Sequence, residues 1–159
     1  MRCFSQLILL VGLSQLLVSC QSTRSQARPW DLVITKTVPA SIEVDLIGIS
    51  EIERPAWEGY DLDQYWTAGD SRRANADKLS RNLETGQPWV VSRADPQWQK
   101  WLSHGATELL ILANLPGHFT AGPTDPRRTF LPLAPSQWKT KSGRLEIEVQ
   151  DTIVRPRTP

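Results

Sequence analysis

Hydrophobic and polar positions alternate most clearly over Ser41–Ile49, where Glu43 and Asp45 separate Ile42, Val44 and Leu46. A period of two predicts a β-strand with one apolar and one wet face. Arg144–Val149 repeats the pattern, with Leu145, Ile147 and Val149 against Glu146 and Glu148, which share the solvated face. Thr107–Leu115 differs: Leu109-Leu110-Ile111-Leu112-Ala113 has no polar break. Both faces of such a strand should be covered, which places it inside a sheet. Weaker strand signals lie at Asp31–Thr35, Trp89–Ser92 and Thr129–Leu133, and Ile153-Val154 extends the last alternating run. Arg72–Asn82 reads either as a helix or as a loop leading into an edge strand at Lys78–Leu83. Gly48 marks a bulge or a strand end.

Helical periodicity is confined to short stretches. Asp95 is a good N-cap, Pro96 suits the first helical position, and Gly105 suits the position after the last turn. Between them Trp98, Trp101 and Leu102 share one face at i, i+3 and i+4. Asp61 can cap a second short helix through Tyr65 and Trp66. Glu51–Tyr60, with Pro55 and Gly59, reads as a loop. Six or seven strands, one or two short helices and 12 prolines predict a mainly β fold. An antiparallel β-sandwich fits better than a parallel sheet, because long helices do not alternate with the strands.

The chain starts with Arg2 and an apolar run, Leu7–Val18, that ends in Ser19-Cys20. About a dozen residues cannot cross a bilayer core of about 30 Å as a helix. A charged start, short apolar centre and small-residue end are the marks of a removable export signal. Leu17-Val18-Ser19-Cys20 resembles the lipobox of a bacterial lipoprotein; an ordinary secretory signal that happens to contain Cys20 is the other reading. The resemblance implies a signal peptide over 1–19 and a diacylglyceryl group on the Cys20 sulfur, with a palmitate-type acyl chain on its amine. Gln21, rather than Asp, after the cysteine then implies the outer membrane, facing the periplasm. Residues 20–29 are polar and aperiodic and read as a flexible tether. The rest, 30–159, is the size of one β-sandwich domain.

Composition narrows the partners. The chain has 18 basic and 17 acidic residues, and removing Arg2 with the signal leaves the remainder neutral. That disfavours nucleic acid as a partner, which calls for a basic face. The only cysteines are Cys3 and Cys20, so a lipidated mature chain has no thiol left for a disulfide. All seven tryptophans lie beyond the signal, at 30, 57, 66, 89, 98, 101 and 138. Most should be core, each seeking a partner for its N–H.

Few residues suggest chemistry. His104 sits at a helix end and His118 in a loop, and two scattered histidines give no support to a metal site. Asp61 and Asp63 have calcium-like spacing, but Tyr65 and Trp66 follow where ligands should. No nucleophile elbow or phosphate loop is present, so no catalytic residue, cofactor or enzyme activity is expected. The Arg72-Arg73 and Arg127-Arg128 pairs each follow an aspartate, Asp70 and Asp125. They suit local ion pairs or guanidinium contacts to a partner. With Trp57, Tyr60, Tyr65 and Trp66, Arg72 and Arg73 make the 54–73 stretch rich in interface-type residues. It is the candidate contact surface.

The order of Cys20, the strand Ser41–Ile49, the aromatic stretch Tyr60–Trp66, the apolar strand Thr107–Leu115, and Trp138 before Arg144–Val149 is similar to the outer-membrane lipoprotein family of type VI secretion systems. That resemblance implies a transthyretin-like β-sandwich with a helical insertion. It also implies a non-enzymatic role docking a partner protein in the periplasm. A lipoprotein binding a glycan or small apolar molecule in a Trp-rich pocket is the alternative.

Overall fold

The computed structural model describes residues 30–140 and 143–158. The expected export signal, Cys20 and the expected tether lie outside the described residues. Two four-stranded sheets face each other, so the mainly β, sandwich-like architecture expected from the alternation is present. One sheet contains β1 (Asp31–Lys36), β4 (Trp89–Val91), β7 (Arg144–Val149) and β8 (Val154–Pro156), in the order β4-β1-β7-β8. The other contains β2 (Ile42–Ile49), β3 (Lys78–Leu83), β5 (Glu108–Ala113) and β6 (Arg128–Pro132), in the order β3-β2-β5-β6. Lys78–Leu83 is thus an edge strand, and the unbroken apolar strand β5 is internal with both faces buried.

One pairing departs from the antiparallel expectation: β1 runs parallel to β7, from Asp31 opposite Arg144 to Lys36 opposite Val149. Parallel neighbours need a crossover connection, and here most of the domain forms it. Alternation along a strand shows which residues share a face but not the direction of the neighbour.

The alternating residues do what period two requires. Leu32, Ile34, Ile42, Val44, Leu46, Leu109, Ile111, Leu145 and Ile147 are buried between the sheets. The helix α4 (Pro96–Ser103) closes one end of this core. Asp95 caps it by accepting from the Gln97 N–H at 2.9 Å, and Gly105 follows with φ +84°. Trp98 meets Trp30 edge-on at 5.7 Å and Trp101 at 5.3 Å. The Trp98 and Trp101 indole N–H groups donate to the Ser92 and Asp77 carbonyls, both at 2.8 Å. Gly48 is neither a bulge nor an end; it lies inside β2. A Cβ there would stand 2.3 Å from Trp101 Cγ, so only glycine lets the indole lie on the strand.

More helix forms than the sequence suggests. Between β2 and β3 run α1 (Arg54–Glu58), α2 (Leu62–Tyr65) and α3 (Ser71–Asn75). Pro55, taken as a loop signal, sits in the first turn of α1, where a missing N–H costs nothing. The three helices lie against the outer face of the second sheet and cover it. No helix among the described residues is long and apolar enough to cross a membrane.

Candidate functional site

The helical segment brings together the six aromatic and arginine residues of the contact surface expected at 54–73. Trp57, Leu62 and Tyr65 point inward and pack on Ile47, Ile49, Leu110 and Leu112, forming a second, smaller core. Trp57 and Tyr65 are therefore buried, whereas Tyr60, Trp66, Arg72 and Arg73 are half-buried around them.

Charged groups tie this segment down. Asp45, expected on the wet face of β2, is completely buried, because the helices cover that face. Its Oδ2 accepts from the Tyr65 hydroxyl at 2.8 Å and from Arg73 Nε at 3.0 Å. Arg73 also pairs with Glu43, and its guanidinium lies 4.4 Å from the Trp66 ring centroid. Burial, reinforced by the Asp45 charge, pushes the Tyr65 hydroxyl far above its ordinary range. Asp70 caps α3 through the Arg73 N–H at 2.7 Å and accepts from the Tyr60 hydroxyl at 2.6 Å. Burial works against the Asp70 carboxylate, but the Tyr60 and backbone hydrogen bonds hold it below its usual range. Arg72 lies over both Trp57 (4.8 Å) and Tyr60 (4.4 Å) and donates to the Ala56 carbonyl at 2.7 Å.

From the sheet side, Arg127 and Arg128 reach up. Arg127 is bidentate with buried Asp125 and bonds Asp63 at 2.5 Å. Asp63 thus serves an arginine rather than a calcium-like pair with Asp61, whose own carboxylate caps α2 through the Asp63 N–H. Arg128 donates to the Trp57 carbonyl and, at 2.9 Å, to the Tyr60 carbonyl. Burial lowers its affinity for the proton. Sequence reasoning singled out this arginine pair but not its reach; Asp45 and Glu43 it placed in water. Burial of Asp45 had no sequence signal beyond an aspartate between two apolar residues.

Beside the segment, between α1, α3 and α4, lies a cleft of 570 Å³. Ile47, Gly48 and Ile49 line it, with Trp57, Trp101 and His104 around them. His104 occupies the helix-end position expected for it.

No protein-family model matches the chain, and no curated protein sequence matches it. The fold, however, is one found in type VI secretion assemblies. A chain in the structure described as the TssM C-terminal domain (869–1107) from EAEC superposes with a TM-score of 0.54 at 14% identity, covering 80% of this chain and 98% of that one. A chain of a structure described as a type VI membrane complex gives 0.54 at 14% identity, covering 80% and 95%. Lip of Serratia marcescens, described as a membrane-bound component of the type VI secretion system, gives 0.48 at 17% identity, covering 80% and 95%. The sandwich is therefore a fold shared with chains of type VI secretion structures.

Proposed function

We propose that this chain is a non-enzymatic lipoprotein of a bacterial envelope. It is anchored through Cys20 at the periplasmic face of the outer membrane and docks a partner protein of a secretion-system membrane complex. The observation that carries the reading is the shared sandwich, spanning 80% of the chain, behind an N-terminal run that ends in a lipobox-like Leu17–Cys20. Two or more acyl chains make anchoring stable where one is marginal. A tethered domain is confined to a thin layer, which raises its effective concentration for membrane-bound partners. The docking residues are Tyr60, Trp66, Arg72 and Arg73, supported from beneath by Trp57 and Tyr65.

The ligand-binding alternative draws on the cleft beside Trp57 and Trp101. Those rings are only 8% and 1% exposed, and Arg72 covers Trp57. Neither ring offers a face on which a sugar could stack, which favours a protein partner.

Expression of the full chain in a two-membraned bacterium tests the anchor. The chain should enter the detergent phase and carry fatty acids by mass, and Cys20→Ser should move it to the aqueous phase. An unacylated, water-partitioning wild type would sink the proposal. Affinity capture from membranes should recover an envelope protein, and Trp66→Ala with Arg72→Ala should reduce that recovery. Undiminished recovery would remove the helical segment from docking.

A further inference from the structure

Four strands end the two sheets, and three of them are blunted. In the first sheet β4 and β8 are three residues long, and β8 ends in Pro156. In the second sheet β6 ends in Pro132. Short edges and prolines protect a sheet against further strand pairing. Strand β3 has neither. It runs six residues, Lys78–Leu83, without a proline, and without a bulge from Lys78 opposite Ile47 to Leu83 opposite Ile42. On the far side of β2 the Asn114 N–H donates to the Glu43 carbonyl at 2.9 Å, so Glu43, Asp45 and Ile47 turn their main-chain groups to β5. By alternation Ile42, Val44 and Leu46 bond β3, through Leu83, Arg81 and Leu79. The N–H and C=O groups of Lys78, Ser80 and Asn82 therefore point out of the sheet. None of them meets a hydrogen-bond partner on that side among the described residues, and Ser80, Arg81 and Asn82 are exposed.

The side chains along this edge narrow what can pair with it. Leu79 and Arg81 stand opposite Leu46 and Val44 and share the face turned to the main core. Leu79 packs on that core but stays half-buried. Arg81 is exposed and has no ion-pair partner among the described residues. Lys78 lies on the helical face, opposite Ile47. Its Nζ donates to the Arg73 carbonyl at 2.6 Å, and no carboxylate pairs with it among the described residues. Lys78 also forms one wall of a 280 Å³ hollow with Gly69, Arg73 and Ala74. The edge thus starts beside the helical segment read as the docking surface. A second copy of β3, paired antiparallel about Ser80, would gather two lysines and two arginines in one short ribbon, and like charges oppose that. An open main-chain edge with uncompensated cations on both faces suits a strand that carries carboxylates.

We propose that an extended acidic segment of the partner polypeptide adds to β3 as an antiparallel strand. Main-chain hydrogen bonds at Lys78, Ser80 and Asn82 supply attachment, and the side chains supply choice, as in other strand additions. One carboxylate stands opposite Arg81 and another opposite Lys78, a β-branched apolar residue covers Leu79, and a threonine faces Ser80. Read along the added strand, that order is Thr-Glu-Thr-Val-Glu. The inference rests on the docking reading and names the chemistry of the partner.

The test uses the ¹⁵N-labelled full chain in detergent and the capped peptide Ac-Thr-Glu-Thr-Val-Glu-NH₂. The peptide should shift the Ser80 and Asn82 amides saturably, with a dissociation constant of about 1 mM. At about ten times that concentration, exchange of those two amides should slow about tenfold. Replacing both Glu by Lys should weaken binding about tenfold. Arg81→Glu should move the preference to Ac-Thr-Lys-Thr-Val-Glu-NH₂. Ser80→Pro deletes an outward N–H that β2 does not use, which an edge strand tolerates, and should abolish binding. N-methylating the central threonine of the peptide removes the matching donor from the other side and should abolish it too, whether or not Ser80→Pro folds. Absence of Ser80 and Asn82 shifts, or equal binding of the N-methylated or the Lys peptide, overturns the proposal. So does a response of the same amides to anionic vesicles or to dilution of the protein alone in place of the peptide, which would identify a membrane surface or a second copy as the occupant. If the peptide fails while the chain still captures its membrane partner, only the edge assignment falls. If capture fails while the peptide binds, the docking reading falls instead.

Discussion

The space between the two sheets and the space beneath the helical segment are filled in contrasting ways. Between the sheets the buried side chains are aliphatic, with Trp30, Trp98 and Trp101 interlocked edge to face. Beneath the helices the apolar cluster is much smaller, and the charged residues Asp45, Arg73, Asp125, Arg127 and Arg128 hold it in place. The difference follows from size. Burial of apolar area is non-directional and strong where two whole sheets meet. Helices of four or five residues are too short to be stable alone and expose too little apolar surface to dock by burial. They are fixed by directed hydrogen bonds, which makes their placement specific and easy to disturb.

Substitutions can break that contrast. Trp98→Ala removes a large side chain from the main core and should cost about 3–5 kcal/mol. The loss should appear as a lower denaturant midpoint for the whole domain; a change confined to the helices would mean the two regions are not distinct. Tyr65→Phe deletes one hydrogen bond to a buried carboxylate, worth about 1.5–3 kcal/mol, while leaving the ring packed. Amide exchange should quicken over 54–75 and stay slow in β1 and β7. Uniform acceleration would show that the helices and the sandwich open together.

Acid sharpens the comparison with the smallest effect. Asp70 is held below its ordinary range, burial opposing and the Tyr60 hydroxyl favouring the charged form. A depressed carboxyl contributes stability that is fully present above the unfolded value, about 3.9. That contribution is lost as pH falls through the folded value. Protection of 54–75 should therefore weaken below about pH 4, ahead of the apolar core. In the sandwich, Asp31 is also depressed, first by its hydrogen bond to the Arg93 side chain. That pair is partly exposed, and exposed pairs contribute little. Simultaneous loss of protection in both regions would contradict this order.

Much of the sandwich was legible from local pattern. Alternation located β2 and β7, an unbroken apolar run identified β5 as internal, and Asp95, Pro96 and Gly105 bounded α4. Local pattern misled where a distant segment intervened. Asp45 has the spacing of a solvent-facing residue but lies under Tyr65 and Arg73, 20 and 28 positions away. Pro55 and Gly59 suggested a loop, yet Pro55 opens α1 and Gly59 closes it. Arg128 looked like half of a surface pair but bonds carbonyls 71 and 68 positions away. In the cleft, Gly48 could be read as a break, and only the position of Trp101 explains it.

The order of residues alone determined which side chains share a strand face and where α4 begins and ends. Each depends on neighbours a few positions apart. Tertiary structure alone decided that β1 runs beside β7, that the polar face of β2 is roofed, and which carboxylate each arginine meets. Those outcomes depend on segments tens of residues apart competing to cover the same surface, and a period of two or 3.6 carries no record of that competition.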